Sequence, residues 1–162
     1  MNIRNILFAM LAVAAVIIRP AAAAEIDLSK AITIGSGPKT VIEFTDPDCQ
    51  FCRKASTYFE GRPDVTRHVF FFPLIRHPKA REKAQFVLSM PDKARAYHDV
   101  MSGKMDAVLL PAPTPEGVRL QEQQLEVAKK SKVGATPTFM INGRVIEGFD
   151  LKKIEDALGG KP

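Results

Sequence analysis

Phe44-Thr45-Asp46-Pro47-Asp48-Cys49-Gln50-Phe51-Cys52-Arg53-Lys54 carries both cysteines of the chain, where the apolar run Val41-Ile42-Glu43-Phe44 gives way to a helical pattern. Two thiols at that spacing can close a small disulfide across the first turn of a helix and reopen it. At such a helix start the unpaired backbone N–H groups and the positive end of the dipole favour a thiolate. Cys49 is therefore expected to have a depressed pKa and to act as nucleophile, with Cys52, further into the helix, as the less exposed resolving partner.

The rest of the sequence limits what can be built around that pair. A chain of 162 residues, 46% apolar and 25% charged, suits a single domain with a real core. Met1 to Ala24 reads as a secretory signal: Arg4 near the start, an apolar run from Ile6 to Ile18, then small residues including Ala22 and Ala24. That run falls short of the ~20 apolar residues that span a bilayer, so a mature chain starting near Glu25 is expected. Export to an oxidising compartment permits disulfide chemistry. Without Arg4 and Arg19 the 23 basic residues become 21 against 18 acidic, with no basic cluster interleaved with aromatics, and no nucleic-acid partner is expected.

The coarse order of elements follows from apolar spacing and turn residues. Ala31 to Ile34 reads as a short strand ended by Gly35-Ser36-Gly37-Pro38, and Val41 to Thr45 as the central buried strand. A helix from the cysteines stops at Gly61-Arg62-Pro63, and Val65 to Phe72 is the next strand. Ala80 to Met90 and Asp92 to Ser102 read as helices separated by Pro91, and Met105 to Pro115 as a loop. Gly117 to Lys130 reads as a helix with Val118, Leu125 and Ala128 on one side. Thr138 to Ile141 and Arg144 to Ile146 flank the hairpin signal Asn142-Gly143, and Asp150 caps a last helix with Leu151, Ile154 and Leu158 on its apolar face. This order indicates an α/β fold with a mixed central sheet flanked by helices.

Glu43 leaves two readings open. It lies at an edge facing water, or it sits beneath the cysteine helix with a raised pKa, exchanging a proton with Cys52. His68, His77 and His98 are scattered and read as surface or strand-facing residues. A binding protein holding a metal through the C-x-x-C pair would therefore lack a four-ligand set, and no metal is expected. A purely structural disulfide would close so short a loop that chain entropy gains it little.

Phe44-Thr45-Asp46 followed by Cys49-x-x-Cys52, with Gly134-Ala135-Thr136-Pro137-Thr138 and Asn142-Gly143, resembles the thioredoxin-fold catalytic domain of periplasmic disulfide isomerases of the DsbC/DsbG type. Lys93 to Lys104 is similar to a helix of that family, and the resemblance covers roughly Lys39 to Leu158. It implies one thioredoxin-like domain over 25–162 with a helical insertion at about 79–131. It also implies a cis Thr136–Pro137 bond beside the active-site pair, with the Thr136 backbone free to pair with an extended substrate strand. Gln50, Phe51, Thr136 and Pro137 would border the substrate groove. The implied activity is that of a periplasmic thiol-disulfide oxidoreductase, an isomerase or reductase acting on unfolded or misoxidised exported proteins. A DsbD-type membrane protein would supply electrons, with no cofactor beyond the Cys49–Cys52 disulfide; the alternative is a DsbA-like oxidase. Against the family pattern, only Glu25 to Thr40 precedes the core strand, which makes a monomer the expectation. Glu43 stands where that family is usually apolar, and Gln50-Phe51 replaces its usual Gly-Tyr.

Overall fold

Five strands order as β1-β3-β2-β4-β5 in one mixed sheet of the computed structural model, which describes residues 26–160. The expected leader, 1–24, lies outside the described residues. The elements run β1 (Ile32–Ile34), β2 (Lys39–Thr45), α1 (Gln50–Glu60), β3 (Val65–Phe71), α2 (Ala80–Ser89), α3 (Lys93–Met101), α4 (Pro115–Lys130), β4 (Thr138–Ile141), β5 (Arg144–Glu147) and α5 (Leu151–Ala157). The central strand β2 pairs parallel with β3 and antiparallel with β4, while β1 and β5 complete the edges in antiparallel register. A parallel pair needs a crossover, and α1 supplies it.

Pairing in register puts residues of one parity on one face. Val41 lies opposite Arg67, Glu43 opposite both Val69 and Phe139, and Thr45 opposite Phe71. Against this face pack Ala55 and Phe59 of α1 and Ile154 of α5, and around Val69 and Phe71 also Val87 of α2 and Tyr97 of α3. The opposite face holds Phe44 and Phe70, stacked with ring centroids 5.2 Å apart, and Ala128 of α4 packs with them.

Three details depart from the sequence reading. The loop ends one residue earlier than expected: Thr114 is the N-cap of α4, accepting from Gly117 N, and Pro115 occupies the first turn, where its missing N–H has no partner to lose. The buried stripe of α4 is Gly117, Gln121, Gln124 and Ala128, and Val118 and Leu125 are only partly covered. Gln124 is buried because it serves two backbone groups, accepting from Phe71 N at 2.8 Å and donating to Lys30 O at 2.7 Å. An apolar count could not anticipate a glutamine that joins the end of β3 to the turn before β1. Leu151 of α5 is likewise exposed, so only Ile154 and Leu158 of the expected face are core.

Gly37 fixes the entry to β2. A Cβ there would lie 2.0 Å from the backbone carbon of Asp64, so no side chain fits without moving the start of β3.

Phe44 is fully buried at the centre of the α4-covered face. Phe44→Ala is expected to cost about 3–5 kcal/mol of unfolding free energy in a urea titration, and a loss below ~1 kcal/mol would place the core elsewhere.

Candidate active site

The strand β2 ends at Thr45, and a short turn over 46–49 delivers the chain to α1. Cys49 is the N-cap of α1, with its N–H donating to Asp46 O at 3.1 Å and its carbonyl accepting from Arg53 N at 3.1 Å. Cys52 therefore falls on the first turn, facing the sheet, and is fully buried, whereas Cys49 is 5% exposed. Both are free thiols. Asp46 N donates to Cys52 Sγ at 3.4 Å, and Cys49 Sγ donates to Thr136 O at 3.5 Å. The Thr136–Pro137 peptide bond is cis, and both residues are buried in the loop before β4. Pairing of β4 with β2 is what brings this loop to the cysteines, 87 residues away in sequence from Cys49.

The two thiols are electrostatically unequal. A hydrogen bond from the Cys52 thiol is the largest cause of a Cys49 pKa lowered to about 5; burial opposes it, and the N–H groups of Cys52 and Phe51 add to the lowering. These are the orphan donors of a helix start, which an N-cap side chain ordinarily satisfies. Burial pushes the Cys52 thiol up, and the neighbouring Cys49 adds to the effect. One sulfur is thus an anion at neutral pH and the other retains its proton.

Gln50 and Phe51 are exposed at the first turn of α1, Phe51 at 55%, with Lys54 Nζ 5.4 Å from its ring centroid. Glu43 does not face water: it is fully buried on the central strand, which removes the edge reading. Its Oε2 accepts from Arg67 Nη1 at 3.0 Å, and the same nitrogen donates to the Tyr97 hydroxyl at 3.1 Å. Its Oε1 has no hydrogen-bond partner among the described residues. The groups hydrogen-bonded to Glu43 are thus those of β3 rather than the cysteine turn.

Several residues without a role in the sequence reading enclose the motif. Asp46 is fully buried, and its carboxylate accepts from Asp48 N at 2.7 Å and Leu74 N at 2.7 Å and meets His77 Nδ1 at 2.9 Å. His77 is therefore tied to the cysteine turn, unlike His68 on β3 and His98 on α3. Arg53 donates through Nε to Pro47 O at 2.7 Å and makes a two-pronged pair with Asp106, both bonds 2.7 Å. Lys83 of α2, 5% exposed, reaches both Asp48 and Asp106. The acidic pair Asp46 and Asp48 directly before Cys49 was the visible signal, but its partners come from segments remote in sequence.

Among the described residues, no group of three or more His, Cys, Asp or Glu side chains could hold a metal ion. The arrangement brings together a nearly buried thiol of lowered pKa at the helix start, a fully buried second thiol one turn on, and a backbone carbonyl beside the first.

A family model for the thioredoxin-like domain matches residues 26–156. The chain is similar to proteins named "probable thiol:disulfide interchange protein DsbC": 25% identical over 135 residues to that of Bordetella parapertussis and 28% over 117 residues to that of Bordetella avium. These alignments cover 82% and 70% of this chain but 46% and 39% of theirs, so the chain spans less than half the length of these relatives. The crystal structure of a disulfide interchange protein from Neisseria gonorrhoeae superposes with a TM-score of 0.69 at 30% identity, covering 83% of this chain and 99% of that one. The catalytic domain of Proteus mirabilis ScsC shares the fold, with a TM-score of 0.60 at 19% identity over 80% of this chain and 88% of that one.

Because the folded-state pKa of Cys49 is depressed from 9.0 to about 5, the unfolded chain binds more protons between those values. The stability of the reduced protein is therefore expected to rise from about pH 5 towards pH 9 and to fall away as pH drops through 5. Urea titrations of reduced wild type and Cys49→Ala across this range check the sign: the alanine variant is expected to lose that part of the slope.

Proposed function

The chain belongs to the thioredoxin-like domain family, and from that membership we propose that it is a thiol-disulfide oxidoreductase that reduces and reshuffles disulfides in exported proteins. The observation that carries the proposal is Cys49 at the start of α1, its pKa lowered to about 5, with the buried Cys52 thiol directed at it and the Thr136 carbonyl beside it. The names of the Bordetella relatives and the 30% identity to the Neisseria gonorrhoeae protein support disulfide interchange as the chemistry.

Attack of the Cys49 thiolate on a client disulfide forms a mixed disulfide and expels one client sulfur as a thiolate, which takes a proton from solvent. Two exits follow. In isomerisation, another client thiolate attacks the client sulfur of the mixed disulfide, forms a new client disulfide and returns Cys49 as thiolate. In reduction, Cys52 loses its proton and attacks Cys49 Sγ; the Cys49–Cys52 bond forms and the second client thiol leaves with two electrons gained by the client disulfide. Because only a thiolate attacks, the raised pKa of Cys52 slows the second exit once the mixed disulfide has formed, which leaves time for the first. Ionisation of Cys49 also removes the proton it gives to Thr136 O, so the state that attacks is the state in which that carbonyl is free to accept from an extended client backbone. The exposed Phe51 ring and Gln50 lie at the same helix start, where they border such a segment. Glu43, beneath α1 with one carboxylate oxygen unpartnered, is the candidate to take the proton of Cys52.

In this reading, 1–24 is a leader removed on export to the periplasm, and the mature chain works as a monomer. It uses no cofactor other than its own disulfide and is returned to the dithiol by a membrane electron donor of the DsbD type.

Cys49→Ser is expected to abolish reduction of a disulfide-bonded client and Cys52→Ser to accumulate the mixed disulfide, visible on a non-reducing gel. Retained turnover by Cys49→Ser would refute the assignment. Acid trapping and thiol alkylation in intact cells is expected to find the pair mostly reduced, and oxidised once the membrane donor is deleted. A pair found oxidised at rest would instead indicate a disulfide-donating enzyme.

A further inference from the structure

The residues immediately outside the two cysteines, Asp48 and Arg53, are both held by groups of the helical segment between β3 and β4. Arg53 Nη1 and Nη2 each donate to Asp106 at 2.7 Å, and Nη2 also lies 3.3 Å from Asp48 Oδ1. Lys83 Nζ donates to Asp106 Oδ1 at 2.6 Å and to Asp48 Oδ1. The lysine side chain is 6% exposed and that of Asp48 20%. Two cations and two carboxylates close a ring that joins the turn before α1, α1 itself, α2 and the segment after α3.

We propose that this ring is a charge shield for the nucleophile, in which Lys83 and Arg53 neutralise the carboxylate next to Cys49 and Lys83 acts as a positioning residue for the reactive sulfur. The proposal rests on the reading of Cys49 as the attacking thiolate.

Asp48 precedes Cys49 directly, and a bare carboxylate so close would oppose formation of the thiolate. A lysine withdrawn from solvent is costly unless paired, and here it is paired twice; a surface pair would be screened by salt, whereas the Lys83–Asp48 pair, at 6% and 20% exposed, is largely enclosed, with Asp106 at 43% the open side of the ring. Arg53 also fixes the backbone, since its Nε holds Pro47 O at 2.7 Å. The groups that act directly on the sulfur lie outside the ring. Cys52 and the first-turn N–H groups belong to α1, Thr136 to the loop before β4, and the Asp46 carboxylate is occupied by Leu74 N, Asp48 N and His77. Removing Lys83 therefore leaves the ring with one excess negative charge, and removing the Asp48 charge leaves it with one excess positive charge.

That opposition of sign separates a shield from a merely structural tie. The test is the pH dependence of Cys49 alkylation by iodoacetamide, located by mass spectrometry, in reduced full-length mature protein carrying Lys83→Met, Asp48→Asn, both, or Lys83→Arg. Lys83→Met is expected to raise the midpoint and to slow alkylation near pH 5 by roughly three- to tenfold, with rates converging at pH 8 and above. Asp48→Asn is expected to lower the midpoint, the double variant to return it to the wild-type position, and Lys83→Arg to leave it there. An unchanged profile in Lys83→Met, or a double variant that stays with Lys83→Met, overturns the shield. If Lys83→Met does not fold, Asp48→Asn decides alone: a lowered midpoint supports the shield, and an unchanged or raised one overturns it. Alkylation reports the sulfur itself, so its outcome stands apart from the client-reduction assay that tests the proposed function.

Discussion

A helix start buried against the end of a sheet leaves its first N–H groups without intrahelical acceptors, and at α1 the residue set at that cap is Cys49, whose pKa those N–H groups help to lower. Everything else in the site answers to that constraint. If Cys49 is to be the N-cap, the chain must leave β2 and enter the helix within four residues. Cys52 then lands on the first turn facing inwards, and its thiol is directed at the anion it helps to create. The parallel pairing of β2 with β3 fixes where α1 lies, and the antiparallel pairing of β4 with β2 brings the Thr136 carbonyl to the same sulfur. The geometry is thus a property of the sheet order as much as of the C-x-x-C motif.

Burial of polar side chains follows from the same architecture. Arg67 lies under α1, with its guanidinium carbon 5.2 Å from the Phe59 ring centroid and 5.3 Å from that of Tyr97. A guanidinium can sit there because Glu43 and the Tyr97 hydroxyl both accept from it. On the other face Gln124 closes the backbone hydrogen bonding at the end of β3. These groups tie elements to one another in a single arrangement, which apolar contacts alone do with less direction.

The parts of this arrangement that were legible in the sequence are those encoded locally. The C-x-x-C pair at a strand-to-helix junction, the Asn142-Gly143 hairpin and the Asp150 cap each depend on residues within a few positions, and each lies where its spacing placed it. Apart from the Thr136–Pro137 loop beside the cysteines, which the family resemblance implied, contacts across distant segments were not legible. Nothing near Glu43 marks Arg67 as its partner, and nothing near Asp48 marks Lys83 or Asp106. The α4 glutamines were not marked as buried by apolar spacing, because composition does not reveal which backbone groups a strand end leaves unpaired. His77 read as a surface or strand-facing residue until the turn after β3 was laid against Asp46.

The distance in sequence between the sulfur and its carbonyl neighbour also sets an order of events. Synthesis runs from the N-terminus, so strand β2, α1 and both cysteines emerge while β4 is still unmade. The nascent chain therefore presents its most oxidisable group before the loop that covers it exists, and Cys52 lacks the full burial that later restrains it. The active dithiol is a late product of folding, assembled when the last third of the chain docks. Until then the chain is a polypeptide with two reactive thiols and no finished core.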